Sequence, residues 1–457
     1  MKPHKKEILH QRELFRTSLD EILNKNHELV ILADKMNWQS ITKFVDSQHP
    51  VHNGAPAKDG RLMAGLHYLK YAFNLSDEAV VARWRENPYW QYFCGEEFFQ
   101  HDFPIDSSSM SRWRKRIGEE GSEALLKETL TTAINMGFLK VSDVEKLNVD
   151  TTVQTKAIRY PTDARLLNRA RERLVKEARK CGLKIKQTYA RVGKFLLLRQ
   201  SRYSHAKQVK RATGCIDKLR TILGRIIREV EPQSKNAPEK FLDLLRIAKQ
   251  LFVQQKDSKD KIYSVHEPDV KCIAKGKAHK KYEFGNKSSV ASTNSKNWIV
   301  GARDFRGNPY DGHTLGAQIQ QVRRLVEGVG KITAYTDQGY RGHGHEGDTI
   351  VIDRERRGSM SKREWRRLKR RSAIEPINGH LKSGHRLERN WLKGALGDQN
   401  NCILSAAGFN FRKLLRAIFW PLLFFLSKDL PKGFQQFSQL QFPLANSGYG
   451  GFSRPTK

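Results

Sequence analysis

The chain has 457 residues, enough for two or three domains and a sizeable core. Its 83 Lys and Arg against 48 Asp and Glu leave +35, far more than solubility requires, so a polyanion is the expected partner and nucleic acid the commonest one. A membrane is disfavoured, because the best apolar stretch, Leu414 to Leu426, is interrupted by Pro421 and reads as a buried helix, and MKPHKKEILHQ has no apolar signal core.

Residues 1–140 carry helical periodicity and are expected to form a helical N-terminal DNA-binding domain. LDEILNKNHELVILADKM, DGRLMAGLHYLKYAFNL and LSDEAVVARWREN place apolar residues at three- and four-residue steps, with Ser76-Asp77 as a cap. DSSSMSRWRKRI starts another helix at Asp106 to Ser109, bearing Arg112, Arg114, Lys115 and Arg116. Short helices with a basic one among them fit a helix-turn-helix-like reader of DNA; a bundle with a solvated basic face fits equally well.

The period changes at 141–155, where VEKLNVDTTVQT reads as a strand. Helical pattern returns over about 160–258 as a basic insertion. Between Arg165 and Arg228, 20 Lys and Arg face only Glu172, Glu177 and Asp217, a balance of +17. Solvated faces usually mix signs, so this lopsided arm suits DNA. Strand signals follow in DVKCIAKG, YEFGNKSSVAST and NWIVGARDF. The turn-rich GNPYDGHT leads into the helix LGAQIQQVRRLVEGV, and then come the strands KITAYTD and TIVID. SKREWRRLKRRSAIEPINGHLK and NNCILSAAGFNFRKLLRAIF read as helices, and residues 429–457 as a loosely held tail. Five scattered cysteines, at 94, 181, 215, 272 and 402, lack C-x-x-C spacing and read as reduced thiols of a cytoplasmic chain.

Three carboxylates stand in distinctive settings. Asp150 ends the apolar run KLNVD, Asp337 ends ITAYTD ahead of QGYRG, and Glu375 lies within the basic RRSAIEPINGHLK. A mixed sheet flanked by helices sets the first and second of these strands side by side and lets a helix bring in Glu375. Three such groups suffice for a pair of divalent ions completed by a substrate phosphate, the arrangement that activates water and neutralises the transition state of phosphodiester cleavage. Arg371, Glu375, Asn378 and Lys382 fall on one helical face, a carboxylate with phosphate clamps beside it. The plain alternative is a surface ion pair between Arg371 and Glu375. Pro376 demands a kink or a helix boundary at Glu375. Arg341 suits phosphate, and His313 in DGHT is either a general base or an ordinary turn histidine. No zinc set accompanies His380 or His385.

KLNVDTT, YTDQGYRG, GNPYDGHTL and the run around Glu375 together resemble the DDE transposases of bacterial insertion sequences, over residues 20–425. The nearest group carries the signature Y-x2-R-x3-E-x6-K. Arg371, Glu375 and Lys382 stand at its intervals, and Leu368 occupies the tyrosine position. The resemblance implies an α/β, ribonuclease-H-like mixed sheet over 141–428 with a helical insertion after its first strand. It implies Asp150, Asp337 and Glu375 as ligands of Mg²⁺, with Mn²⁺ able to substitute. It further implies hydrolysis at element ends, transfer of the 3′-hydroxyl to target DNA, double-stranded DNA (terminal inverted repeats and target) as partner, and a homo-oligomer on paired ends in the bacterial cytoplasm, nucleoid-associated when bound. A DNA-binding regulator descended from such an enzyme, and a ribonuclease-H-like nuclease or resolvase, are the competing expectations.

Overall fold

The computed structural model describes residues 17–48, 56–274, 281–345, 349–352 and 361–428, the side chains of 420–428 excepted; the expected tail at 429–457 lies outside the described residues. The N-terminal part is helical: Leu19–Ile22 (α1), Glu28–Lys35 (α2), Trp38–Ser47 (α3), Gly60–Ala72 (α4), Asp77–Glu86 (α5), Pro88–Phe93 (α6) and Ser107–Asn135 (α7). The expected caps form. Ser76 accepts from the Ala79 amide ahead of α5, and Asp106 from the Ser108 amide ahead of α7. The run LDEILNKNHELVILADKM is not one helix, because Leu23 turns extended and His27 caps α2 through the Leu29 amide. Gly118 interrupts α7 at φ +65°, a backbone region that glycine takes without strain.

The strand expected over 141–155 is shorter at its start. Val141–Val144 (α8) is a helical turn closed by Asp143, which accepts from the Lys140 amide, and β1 is Lys146–Thr155. The insertion is helical, as expected: Asp163–Lys180 (α9), Ala190–His205 (α10), Val209–Val230 (α11) and Glu239–Val253 (α12). It buries its own apolar cluster, including Leu167, Leu174, Leu223, Ile226 and Phe241.

Five further strands follow: Lys271–Ala274 (β2), Tyr282–Thr293 (β3), Ile299–Phe305 (β4), Thr333–Tyr335 (β5) and Ile350–Ile352 (β6). The mixed six-stranded sheet runs β2-β3-β1-β5-β6, with β4 also on β3. β1, β3 and β4 are antiparallel neighbours, whereas β5 lies parallel to β1 and β6 parallel to β5. At Gly285 the two main chains come very close, so that a Cβ there would stand 1.9 Å from the Gln154 carbonyl oxygen. Asp311–Leu325 (α13) crosses between β4 and β5. The basic run forms two helices, Lys362–Arg370 (α14) and Ile374–Gly384 (α15), joined by a 3-10 turn over Arg371–Ala373. Pro376 thus falls in the first turn of α15, where its missing amide hydrogen costs nothing. The expected boundary at Glu375 is therefore one residue away.

Gly394–Lys428 (α16) joins the parts. It packs on α7, α4 and β4, and one apolar cluster runs from Leu29 through Val149 and Val300 to Ile418. Buried amides stitch the seam: Asn410 bonds both the amide and the carbonyl of Ile299, at 3.0 and 2.8 Å, and the Tyr71 hydroxyl donates to Asn401 at 3.0 Å. Among the described residues no helix is long and apolar enough to cross a membrane, and all five cysteines are free.

Candidate functional site

The parallel pairing of β1 and β5 organises the site. The last registered pair is Asn148 with Tyr335, and two residues beyond it stand Asp150 on one strand and Asp337 after the other. The two carboxylates leave corresponding positions at neighbouring strands, where β5 has stopped and the edge of β1 lies open. In sheets of this kind ligands sit beyond the carboxyl ends of parallel strands. Asp337 caps a 3-10 turn, Gln338–Tyr340, by accepting from the Gly339 amide at 3.0 Å.

A third acid joins them, Asp311, the first residue of α13. A methyl group at Gly339 would stand 3.1 Å from Asp337 Oδ1 and 3.2 Å from Asp311 Oδ2, so both carboxylates border the same small space. Asp311 is held by the Thr151 hydroxyl at 2.8 Å and the Lys287 ammonium at 2.7 Å. Sequence reasoning singled out His313 and passed over Asp311. Its one signal was an acid at the start of a helix, which is common on any surface.

The buried phenol of Tyr340 reports the field of these groups. Burial, then Asp150, Asp311 and Asp337, push it well above its ordinary value. Its hydroxyl has no partner at full hydrogen-bonding geometry, and the Thr314 hydroxyl is the group that comes near. Helix α15 lies over the open side. Asn378 donates from Nδ2 to Asp150 Oδ2 at 3.1 Å, while its buried Oδ1 has no partner. Two orphaned polar atoms therefore accompany the carboxylates.

The remaining expected residues divide. Glu375, one turn ahead of Asn378, is exposed and 3.8 Å from the Arg371 guanidinium. Lys382 is anchored 3.4 Å from both Glu283 oxygens on β3. Leu368 is buried against Tyr335. Arg341 and His313 are exposed, the latter edge-on to Tyr310 at 5.4 Å. Among the described residues no three His, Cys, Asp or Glu side chains stand close enough to hold a metal ion together.

In the basic segment of α7 the side chains split inside from outside. Arg112, Lys115 and Arg116 are exposed. Arg114 is buried and donates two hydrogen bonds to Asp77, at 2.9 and 2.6 Å, beside His67. Its guanidinium faces the protein interior, away from any DNA backbone.

Residues 17–116 match the family model described as Transposase domain (DUF772). A Rhizobium meliloti protein named "Uncharacterized protein ORF8 in nfe locus" is 50% identical over 199 residues, covering 43% of this chain and 95% of that protein. The chain belongs to the family of that protein. No solved structure matches it. The matched segment includes α1 to α6 and the basic first turns of α7. A match to a transposase domain implies DNA as the partner and suggests a DNA-processing enzyme, in line with the +35 charge.

Proposed function

We propose that this member of the family is a DNA transposase that binds the terminal inverted repeats of an insertion sequence, hydrolyses the phosphodiester at element ends and joins the 3′-hydroxyl to target DNA. The antiparallel β4-β3-β1 followed by parallel β5 and β6 is the strand arrangement expected of a ribonuclease-H-like core, and supports that reading of the fold. The observation that carries the proposal is the register that puts Asp150 on β1 and Asp337 just past the end of the neighbouring β5, with α15, the helix bearing Glu375, bonded to Asp150 through Asn378.

The oxygen donors suit Mg²⁺, which is held by one or two carboxylates and substrate phosphate while keeping several waters. The orphaned Tyr340 hydroxyl and Asn378 Oδ1 are placed to meet such waters. Asp150 and Asp337 would hold the ions, with Glu375 completing the set on substrate binding; bound there, a pair of divalent ions would supply the activated water and neutralise the phosphorane. The protein groups do the rest. Asn378 fixes the rotamer of Asp150 through its 3.1 Å bond. Arg371 and Arg341 would take phosphate oxygens, Arg112, Lys115 and Arg116 would contact end DNA, and Lys382, tied to Glu283, would hold α15 against the sheet. Two copies on paired ends complete the assembly we propose.

The test uses purified protein and DNA cut from the flanks of its coding sequence, containing the inverted repeats. Asp150→Asn, Asp337→Asn and Glu375→Gln should each abolish Mg²⁺-dependent nicking while leaving end binding intact. Wild-type nicking by Glu375→Gln would remove that residue from the site. A second reading, a DNA-binding relative that does not cut, is favoured by the absence of a three-group metal cluster among the described residues. End binding by the wild type without nicking at any Mg²⁺ or Mn²⁺ concentration would establish it.

A further inference from the structure

A cavity of 840 Å³ opens where the helical insertion leaves and rejoins the sheet, and five aromatic side chains contribute to its walls. Tyr160 comes from the segment entering α9, Tyr263 from the returning segment, Tyr282 and Phe284 from β3, and Trp391 from the loop before α16. Phe284 forms the floor, with Tyr160 edge-on at 5.6 Å and Tyr263 tilted at 5.5 Å. Trp391 is 68% exposed, Tyr160 60% and Tyr282 42%, an unusual grouping of large open rings. Arg159, Arg165, Arg169 and Arg389 are exposed at the same walls, against Glu172 and Glu388.

The loop that presents Trp391 is fastened on both sides. Asn390 pairs with Lys156 at the end of β1, its amide donates to the Thr155 carbonyl at 2.8 Å, and its side chain donates to Asp398 at 2.6 Å. Arg389 takes φ +59°, a left-handed conformation that a bulky side chain adopts only when its surroundings impose it. The indole is thus held in solvent by a braced backbone and is no loose surface ring.

We propose that this cavity takes an unpaired nucleotide of single-stranded DNA, its base stacked on Trp391 and Tyr160 and its phosphates on the arginine rim. The inference rests on the transposase reading for its setting. Open aromatic faces beside arginines are the means by which proteins hold single strands, since every base has a π-face and stacking needs no sequence. A cavity of several hundred Å³ suits a ligand of nucleotide size. A paired duplex keeps its base faces covered and cannot use these rings. Position agrees. Thr155, at the cavity, lies five residues along β1 from Asp150, about 17 Å or roughly five duplex rises, and α15 spans the interval from Asn378 on Asp150 to Lys382 on Glu283, next to Tyr282. A strand end released at the carboxylates can reach it.

The experiment measures binding in EDTA, so that no cleavage chemistry is involved. The probes are a short oligothymidine carrying one 2-aminopurine and a hairpin duplex of equal length. Wild type should quench the 2-aminopurine of the single strand. Trp391→Ala should lose the quench and lower the ratio of single-strand to duplex affinity about tenfold, the loss expected of one stacked base. Trp391→Phe should restore both readouts, and Phe103→Ala, an exposed ring outside the cavity, should leave the ratio unaltered. Equal quenching by wild type and Trp391→Ala, or a ratio unmoved by that change, overturns the pocket whether or not the protein nicks DNA. A failure of Mg²⁺-dependent nicking overturns the transposase reading and leaves these readouts standing.

Discussion

Replacing Asp304 by asparagine tests the polar network that braces the end of β1. Asp304 on β4 receives hydrogen bonds from Gln154 at 3.1 Å, Asn286 at 3.2 Å and Ser288 at 3.0 Å, and Asn286 also bonds Asp398 at 2.9 Å. Burial, then the charge of Asp398, pushes its carboxyl from 3.8 to about 7, and burial pushes Asp398 to about 6 against the pull of Lys156. A raised carboxylate pKa means that folding penalises the ionised form. The contribution to stability is full below the unfolded value near 3.8 and is lost as pH rises through about 7. At 1.36 kcal/mol per unit the three-unit shift sets a ceiling of ~4 kcal/mol. The side chain opens partly onto a 250 Å³ cavity, and Asp398 shares the titration, so ~1–3 kcal/mol is the expected yield. Urea unfolding of wild type and Asp304→Asn at intervals from about pH 4.5 to 8 gives the difference in stability. A constant offset measures the cost of the amide in the network; the slope measures the charge. The variant should gain on the wild type by that amount across the window. A difference that stays flat within ~0.5 kcal/mol would refute the buried-charge argument.

Arg114→Ala should cost ~3–5 kcal/mol, because it removes a buried guanidinium with two hydrogen bonds to Asp77 and leaves that carboxylate to Lys70 alone, while Arg112→Ala on the exposed face should cost under ~0.5 kcal/mol. Equal losses on unfolding would contradict the inside-outside split of α7. Changing the exposed Arg191, Lys194, Arg202 and Lys210 to alanine should lower the slope of log affinity against log salt by up to ~0.9 per phosphate contact removed; an unaltered slope would take the insertion off the DNA. Leu368→Tyr puts a ring into the space against Tyr335 and should cost ~1–3 kcal/mol by overpacking, so an unchanged melting temperature would mean that the site has room for the signature tyrosine. Asn378→Ala removes the donor to Asp150 and should weaken nicking ~10–100-fold, with the Mg²⁺ titration shifted to higher concentration; a rate loss with no shift in that titration would show that Asn378 acts elsewhere.

Local pattern carried the sheet a long way. Apolar runs ending in an acid announced β1 and β5, and the order of elements placed them together, as their parallel register bears out. Helix starts at Ser76 and Asp106 were readable because a capping side chain acts on amides two or three residues away. What depends on the partner across space was not readable. Arg112 and Arg114 are the same residue type two positions apart, and only the burial of Trp113 and Ile117 with Arg114 shows which turns inward. Asp311 gave no more than the sign of a helix-start acid, since its partners Thr151 and Lys287 come from strands far off in sequence. The break in the basic run after Ser361 was readable from Pro376, which suits the first turn of a helix, whereas the 3-10 turn over Arg371–Ala373 left no mark in the charge periodicity.

The short length of β5 matters more than any single carboxylate. β5 ends at Tyr335 while its neighbour β1 continues to Thr155, so the second half of β1 keeps its strand neighbour β3 on one side and has no β5 strand on the other. Backbone left open in this way must be covered by something. Here the cover is the turn around Tyr340, the face of α15 and, at the far end, the single bridge from Asn390. All three bear residues of the two proposed sites: Asp337 begins the first, Asn378 and Glu375 lie on the second, and Trp391 follows the third. The same cause, one strand outrunning its partner, accounts both for the carboxylate pocket and for the aromatic cavity five residues farther along.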